Sequence, residues 1–157
     1  MTNKDSAYIA GFLDGDGCIM FQLVNRKDYL LGYQIRASIV FYQNQQNSQF
    51  LAWLKRKLTY GYIRNRKDGI TEYTIVGTKP VGKILKILKP YLRLKKKQAT
   101  LALKILSQMP GSGRQMSPQL LLRLALEVDK FADLNYSRKR TNNSRKVEEF
   151  LKSRLLL

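Results

Sequence analysis

Two stretches of strict alternation narrow the folds open to this chain. From Cys18 to Val24, Ile19, Phe21 and Leu23 fall on one side and Met20, Gln22 and Val24 on the other. From Tyr33 to Tyr42, Ile35, Ala37, Ile39 and Phe41 oppose Gln34, Arg36, Ser38, Val40 and Tyr42. A period of two marks strands, and the link 25–32 predicts an antiparallel pair. Ser6 to about Asp14 precedes them as a helix, with Asp5 or Ser6 as N-cap and Gly17 as its stop. Gln46 to Leu58 returns to helical spacing through Phe50, Leu51, Trp53, Leu54 and Leu58. Gly61–Arg66 and Glu72–Gly77 read as shorter strands around the turn Lys67-Asp68-Gly69. Pro80 suits the first turn of a helix reaching about Leu88, and Pro90 ends it. The order αββαββα predicts an α+β fold, with one four-stranded antiparallel sheet and helices on one face. Further helices are expected near Lys97–Gln108, Pro118–Asp133 and Arg145–Leu155. With no repeat and no long linker, the reading is one domain over 1–157, a core of about 5–108 and a helical extension of about 109–157.

Charge says what such a fold meets. There are 29 Lys+Arg against 11 Asp+Glu, a formal net charge of +18. No acid occurs between Asp28 and Asp68, nor between Glu72 and Glu127, while basic residues continue through both gaps. A surplus this large repels itself in the folded state, and a polyanionic partner explains it. The chain has no histidine, which excludes Ser-His-Asp, Cys-His and His-metal chemistry. Its one cysteine, Cys18, excludes an internal disulfide and a Cys₂ or Cys₄ zinc site. No apolar run approaches the ~20 residues of a membrane span, and no signal or transit pattern opens the chain. The expectation is an intracellular protein without a membrane partner.

If helices cover one face of the sheet, the other presents Gln22, Arg26, Gln34, Arg36, Ser38, Tyr42, Tyr62, Arg64, Arg66, Glu72 and Thr74. Alternation places Val24 and Val40 there too, and Asp28 and Tyr29 belong to the connecting turn. Amide, guanidinium and hydroxyl groups pair with base edges and phosphates, and a β-ribbon fits the major groove of duplex DNA.

The segment from Ala7 to Gly17 is the most specific feature. Gly11 and Gly15 stand four apart beside Ala10, a spacing that lets two helix backbones approach closely. Each helix-interior glycine costs roughly 1 kcal/mol relative to alanine. Asp16 falls at the helix C-terminus, where carbonyl oxygens and the dipole favour a cation, and hard oxygens there suit Mg²⁺. An identical helix packed across a two-fold axis would bring two Asp16 carboxylates together. A calcium-loop reading of Asp14-Gly15-Asp16-Gly17 fails at Cys18, Ile19 and Asn25, none of which carries the group that loop requires. A plain helix C-cap and turn leaves Gly11 unexplained.

Ile9 through Gly17 resembles the signature helix of the LAGLIDADG homing endonucleases. Gly61-Tyr62-Ile63-Arg64-Asn65-Arg66 and Pro90-Tyr91-Leu92-Arg93-Leu94-Lys95-Lys96-Lys97-Gln98-Ala99 resemble chloroplast-intron members in particular. One signature per chain implies a homodimer acting on a near-palindromic site. The resemblance implies site-specific double-strand cleavage of DNA with short 3′ overhangs, with Mg²⁺ as cofactor, Mn²⁺ as a substitute and Ca²⁺ supporting binding alone. It implies an organelle-encoded, chloroplast protein. It makes Asp16 the metal-binding acid, with the Gly15 carbonyl on the same ions, Gln43 a water-positioning residue and Lys95 a phosphate-stabilising lysine. The sheet residues above become major-groove readers, Arg138, Lys139 and Arg140 contact backbone phosphates, and Ile9, Ala10, Gly11, Leu13 and Asp14 form the dimer contact. Asn44 to Asn47 are neutral where relatives often carry basic residues. Two other functions belong to the same fold: an intron-RNA maturase and a catalytically silent DNA-binding regulator.

Overall fold

The structure is a computed structural model describing residues 1–111, 114–135 and 140–157. Its first helix, α1 (Asn3–Asp16), starts earlier than the spacing of apolar residues predicts. Thr2 caps it: the Thr2 hydroxyl accepts from the Asp5 N–H at 3.1 Å, and the Asp5 carboxylate accepts from the Thr2 N–H at 3.0 Å. This reciprocal box satisfies two amides that a helix start leaves open, so Asp5 lies inside the helix. At the other end the Gly17 N–H bonds the Leu13 carbonyl. A Cβ on Gly17 would stand 2.5 Å from Leu13 Cδ1, which is why the chain turns there on glycine.

Then follow β1 (Gly17–Asn25), β2 (Tyr33–Asn44), α2 (Ser48–Leu58), β3 (Tyr62–Asn65), β4 (Ile70–Val76) and α3 (Thr78–Leu88), as the alternation and helical spacing predict. A single 3₁₀ turn, Gln45–Asn47, leads into α2. The sheet is antiparallel with strand order β1-β2-β4-β3. Register sets two rows on one face: Tyr42 opposite Glu72 opposite Arg64, and Val40 opposite Thr74 opposite Tyr62. Gly61, at φ +83°, brings the chain so near β4 that a Cβ would sit 2.2 Å from the Thr74 carbonyl oxygen. The remaining helices are α4 (Lys96–Gln108), α5 (Pro118–Asp129), α6 (Phe131–Leu134) and α7 (Ser144–Ser153). The helix expected over Pro118–Asp133 is thus divided at Lys130.

The chain forms two compact units. The first comprises Met1–Met20 with Ala37–Leu103, the second Phe21–Arg36 with Lys104–Leu157. In the first, Ile9, Leu13, Ile39, Phe41, Leu51, Leu54, Tyr73, Ile75 and Leu85 are wholly buried. Phe41 stacks between Phe12 and Tyr73, at ring separations of 5.9 and 5.8 Å. In the second, Phe21 stacks on Phe131 at 5.1 Å and Phe150 meets Tyr33 edge-on. Asn142 also donates to the Leu23 carbonyl at 2.8 Å. These contacts group the β1–β2 hairpin tip with the C-terminal helices, a division unlike the expected one near residue 108. Among the described residues no helix is long and apolar enough to cross a membrane.

Candidate active site and nucleic-acid interface

In the first unit, α1 ends by presenting Gly15 and Asp16 to solvent. Gly15, Asp16 and Gly17 line one cleft with Tyr42, Gln43, Asn44 and Ile70. The last residues of β2 supply the opposite wall, so two residues 27 apart in sequence, Asp16 and Gln43, share a single opening. The Gln43 side-chain oxygen accepts from the Asn44 N–H at 2.8 Å, which leaves its NH₂ as the outward donor. Among the described residues Asp16 has no ion-pair partner.

Lys95 reaches the same helix end. Its ammonium donates to the main-chain oxygen of Asp14. The Asp14 carboxylate accepts from the backbone N–H groups of Arg93, Leu94 and Lys95. Burial pushes the neighbouring Cys18 thiol up from its ordinary pKa, and the Lys95 charge pulls the other way. The Tyr42 hydroxyl is raised chiefly by burial as well, with Cys18 and Glu72 adding to it against Arg66.

The sheet face of this unit is less open than alternation predicts. Ser38, Val40, Glu72 and Thr74, expected among the base readers, are buried and form its floor. Tyr62, Arg64 and Arg66 stand exposed above that floor, with Tyr42 half-buried. Glu72, its side chain 11% exposed, holds both arginines: Arg64 Nη2 lies 2.7 Å from one oxygen and Arg66 Nη1 3.1 Å from the other. Arg66 also pairs with Asp68. A guanidinium held on one edge by a carboxylate keeps its remaining N–H donors in a fixed plane.

The second unit carries its own polar face. Gln22 and Arg36 are exposed, Val24 and Gln34 half-buried. Arg26 forks onto Asp28 at 2.9 and 2.6 Å, donates to the Gln34 amide oxygen at 3.2 Å and lies 4.8 Å from the Tyr29 ring centre. The Arg26 hydrogen bonds draw the Asp28 carboxyl down to about 2. Asp28 and Tyr29 therefore steady Arg26. Arg140, expected on phosphates, is instead half-buried and donates to the Val128 carbonyl at 2.8 Å. Burial lowers its guanidinium pKa, and Asp129 opposes that. Arg138 and Lys139 lie outside the described residues.

The expected dimer contact needs correction. Ile9, Ala10 and Leu13 are wholly buried inside the chain, and Asp14 is 9% exposed and committed to the turn before α4. The outward side of α1 shows Gly11 and Gly15, where a Cβ would meet nothing within 4 Å, and Tyr8, 59% exposed. Tyr8 meets Phe50 and Trp53 edge-on at 5.8 and 5.9 Å. The sequence reading missed this aromatic surface. Its signal was Tyr8 three residues before Gly11, with Phe50 and Trp53 one helical turn apart.

Residues 9–105 match the family described as LAGLIDADG endonuclease. The chain belongs to that family. Among LAGLIDADG proteins it is 40% identical to DNA endonuclease I-CvuI of Chlorella vulgaris over 146 residues, covering 93% of this chain and 89% of that one. It is 36% identical to DNA endonuclease I-CreI of Chlamydomonas reinhardtii, covering 93% and 88%. The crystal structure of I-CvuI in complex with its target in the presence of 2 mM Ca superposes with a TM-score of 0.93 at 37% identity, covering 99% of this chain and 97% of that one. The LAGLIDADG signature is thus α1, and the shared fold places its last acid in the cleft with Gln43.

Proposed function

We propose that the chain is a homodimeric, site-specific homing endonuclease. It makes double-strand breaks in a long near-palindromic DNA site by divalent-metal-dependent hydrolysis and leaves short 3′ overhangs. One observation carries the reading: Asp16 and Gln43 share one cleft, with Lys95 bonded to the same helix end. That set suits hydrolysis of a phosphodiester. The crystallisation of I-CvuI with its target in the presence of calcium supports a duplex substrate and a divalent cation.

The donors fit a hard divalent ion, since the Asp16 carboxylate and the Gly15 carbonyl are oxygen ligands. They are too few for one chain to form a cage: among the described residues no group of three or more Cys, Asp or Glu stands together. A second copy would complete the site. The open backbone at Gly11 and Gly15, beside Tyr8, Phe50 and Trp53, is the surface on which that copy packs. Held by the Asp16 carboxylate and the Gly15 carbonyl, Mg²⁺ would supply Lewis-acid polarisation of the phosphate and a more acidic water, with Mn²⁺ able to substitute and Ca²⁺ supporting binding alone. The chain's own residues do the rest. The Gln43 amide orients water, and the Lys95 ammonium faces the charge that builds on the phosphate. With no histidine in the chain, no imidazole takes the proton.

The exposed readers are Tyr62, Arg64 and Arg66 in one unit, and Gln22 and Arg36 in the other, with Arg26 half-buried beside them. Phosphate contacts make the affinity salt-dependent, falling about 10³-fold or more from low to moderate salt. The gene is organellar, within a chloroplast, as the resemblance to chloroplast-intron members implies. Selection of random duplexes in Ca²⁺, then transfer of the enriched pool to Mg²⁺, tests the whole reading. The expected result is a long near-palindromic site cut on both strands by the wild type and bound but uncut by Asp16→Asn. Cutting by Asp16→Asn would overturn the mechanism, and enrichment of no duplex would overturn the substrate.

A further inference from the structure

We infer that Asp14 is a positioning residue for Lys95: its carboxylate, seated on three successive backbone N–H groups ahead of α4, sets where the Lys95 ammonium stands at the end of α1. The inference rests on the role proposed for Lys95 and adds the group that holds it. The Arg93 and Leu94 N–H groups donate to Asp14 Oδ2 at 2.6 and 3.2 Å, and the Lys95 N–H to Oδ1 at 2.9 Å. The Lys95 carbonyl accepts from the Ala99 N–H at 2.9 Å, the first bond of α4, so Lys95 is the cap residue of that helix. Amides around a helix start have no partner within the helix, and the dipole there favours an anion. The anion that answers them comes from a residue some 80 positions earlier in the chain.

The contact is two-sided. While the carboxylate grips the Lys95 backbone, the Asp14 main-chain oxygen receives the Lys95 ammonium. Both ends of Lys95 are therefore referred to one residue, and that residue is two positions before Asp16. The metal-binding acid and the phosphate-facing lysine take their spacing from the same turn of α1. Mere capping of α4 would require the carboxylate alone. The return of the side chain to the same residue is what links the cap to the site. Reacting groups tolerate little displacement, and an error of 1 Å can cost about 100-fold in rate.

Asp14→Asn keeps the shape but sets an NH₂ against the backbone donors. Its test is a double-mutant cycle with Lys95→Met on the selected duplex, reading single-turnover cleavage in Mg²⁺, duplex affinity in Ca²⁺ and thermal melting. Asp14→Asn is expected to slow cleavage by about 10- to 100-fold while affinity stays within about three-fold. In the Lys95→Met background the same substitution should slow it by less than about two-fold further, because one interaction cannot be lost twice. Losses that multiply in the double variant would overturn the inference and leave the role of Lys95 standing. Wild-type cutting by Lys95→Met would overturn both. If Asp14→Asn fails to fold, Asp14→Glu, which keeps the charge and both oxygens but lengthens the reach, is run through the same cycle and judged by the same two outcomes.

Discussion

The two faces of α1 are built on opposite principles. Its inward face, Ser6, Ile9, Ala10, Leu13 and Asp14, is buried and apolar or fully bonded. Its outward face offers Gly11 and Gly15 with open space above them and the exposed ring of Tyr8. The inward residues hold the fold together. The outward glycines cost the single chain roughly 1 kcal/mol each, and no contact among the described residues repays them. On the reading proposed above, that side receives a second copy of the chain, and Asp16, the proposed metal ligand, sits where it ends.

The largest effect that would sharpen this contrast is at Asp16. Asp16→Asn should lower cleavage by about 10³-fold or more with melting unchanged, as checked by single-turnover assay and calorimetry. Gly11→Leu should leave the chain folded but monomeric by sedimentation, and therefore inactive; a dimeric, active variant would break the comparison. Leu13→Ala, on the inward face, should do the reverse. It should cost about 2–5 kcal/mol in denaturant unfolding of the chain, while the folded fraction still associates. Gly11→Ala should raise the stability of the isolated chain by about 0.5–1 kcal/mol, the gain expected where glycine serves no contact within it.

The smallest effect belongs to the start of the helix. The Asp5 carboxyl is held below its ordinary value of 3.8, chiefly by the Thr2 N–H and then by the Lys57 ammonium. A depressed carboxyl stabilises the fold above that ordinary value and loses its contribution as the pH falls through the lowered one. Asp5→Asn should therefore lower stability slightly at neutral pH, where the charged carboxyl and its pair with Lys57 at 3.0 Å contribute, and match the wild type once the pH has fallen through the lowered value, which flattens the acid limb of the stability curve.

Local pattern made the element order legible, because strands and helices of this length state their periods plainly. It also made Gly17, Pro80 and Pro118 readable as boundaries. At α1 the structure departs from expectation in two ways. Thr2 was passed over because the capping box begins outside the apolar run. Ile9 and Leu13, placed in the dimer contact by the resemblance, lie on the buried side, because a helix turns residues two from Gly11 away from its face. The buried floor of Ser38, Val40 and Thr74 could not be read at all, since alternation gives a face and not what lies over it. The union of Asp14 with Arg93, Leu94 and Lys95 spans about 80 residues, and no short-range signal carries it. Asp16 was legible from its place at the end of a helix, where carbonyl oxygens and the dipole favour a cation; the resemblance to a family supplied Gln43 and Lys95, and periodicity supplied none of the three.

Arg64 and Arg66 lean on one acid, Glu72, which has almost no water of its own. Replacing either arginine strips that carboxylate of a counter-charge beside an approaching phosphate chain, and replacing Glu72 releases both guanidinium planes at once. The three positions therefore work as a single unit of vocabulary. A lineage moving to a new target site at this patch is expected to change them together, and intermediates that alter one alone should bind every sequence worse before any binds the new one better.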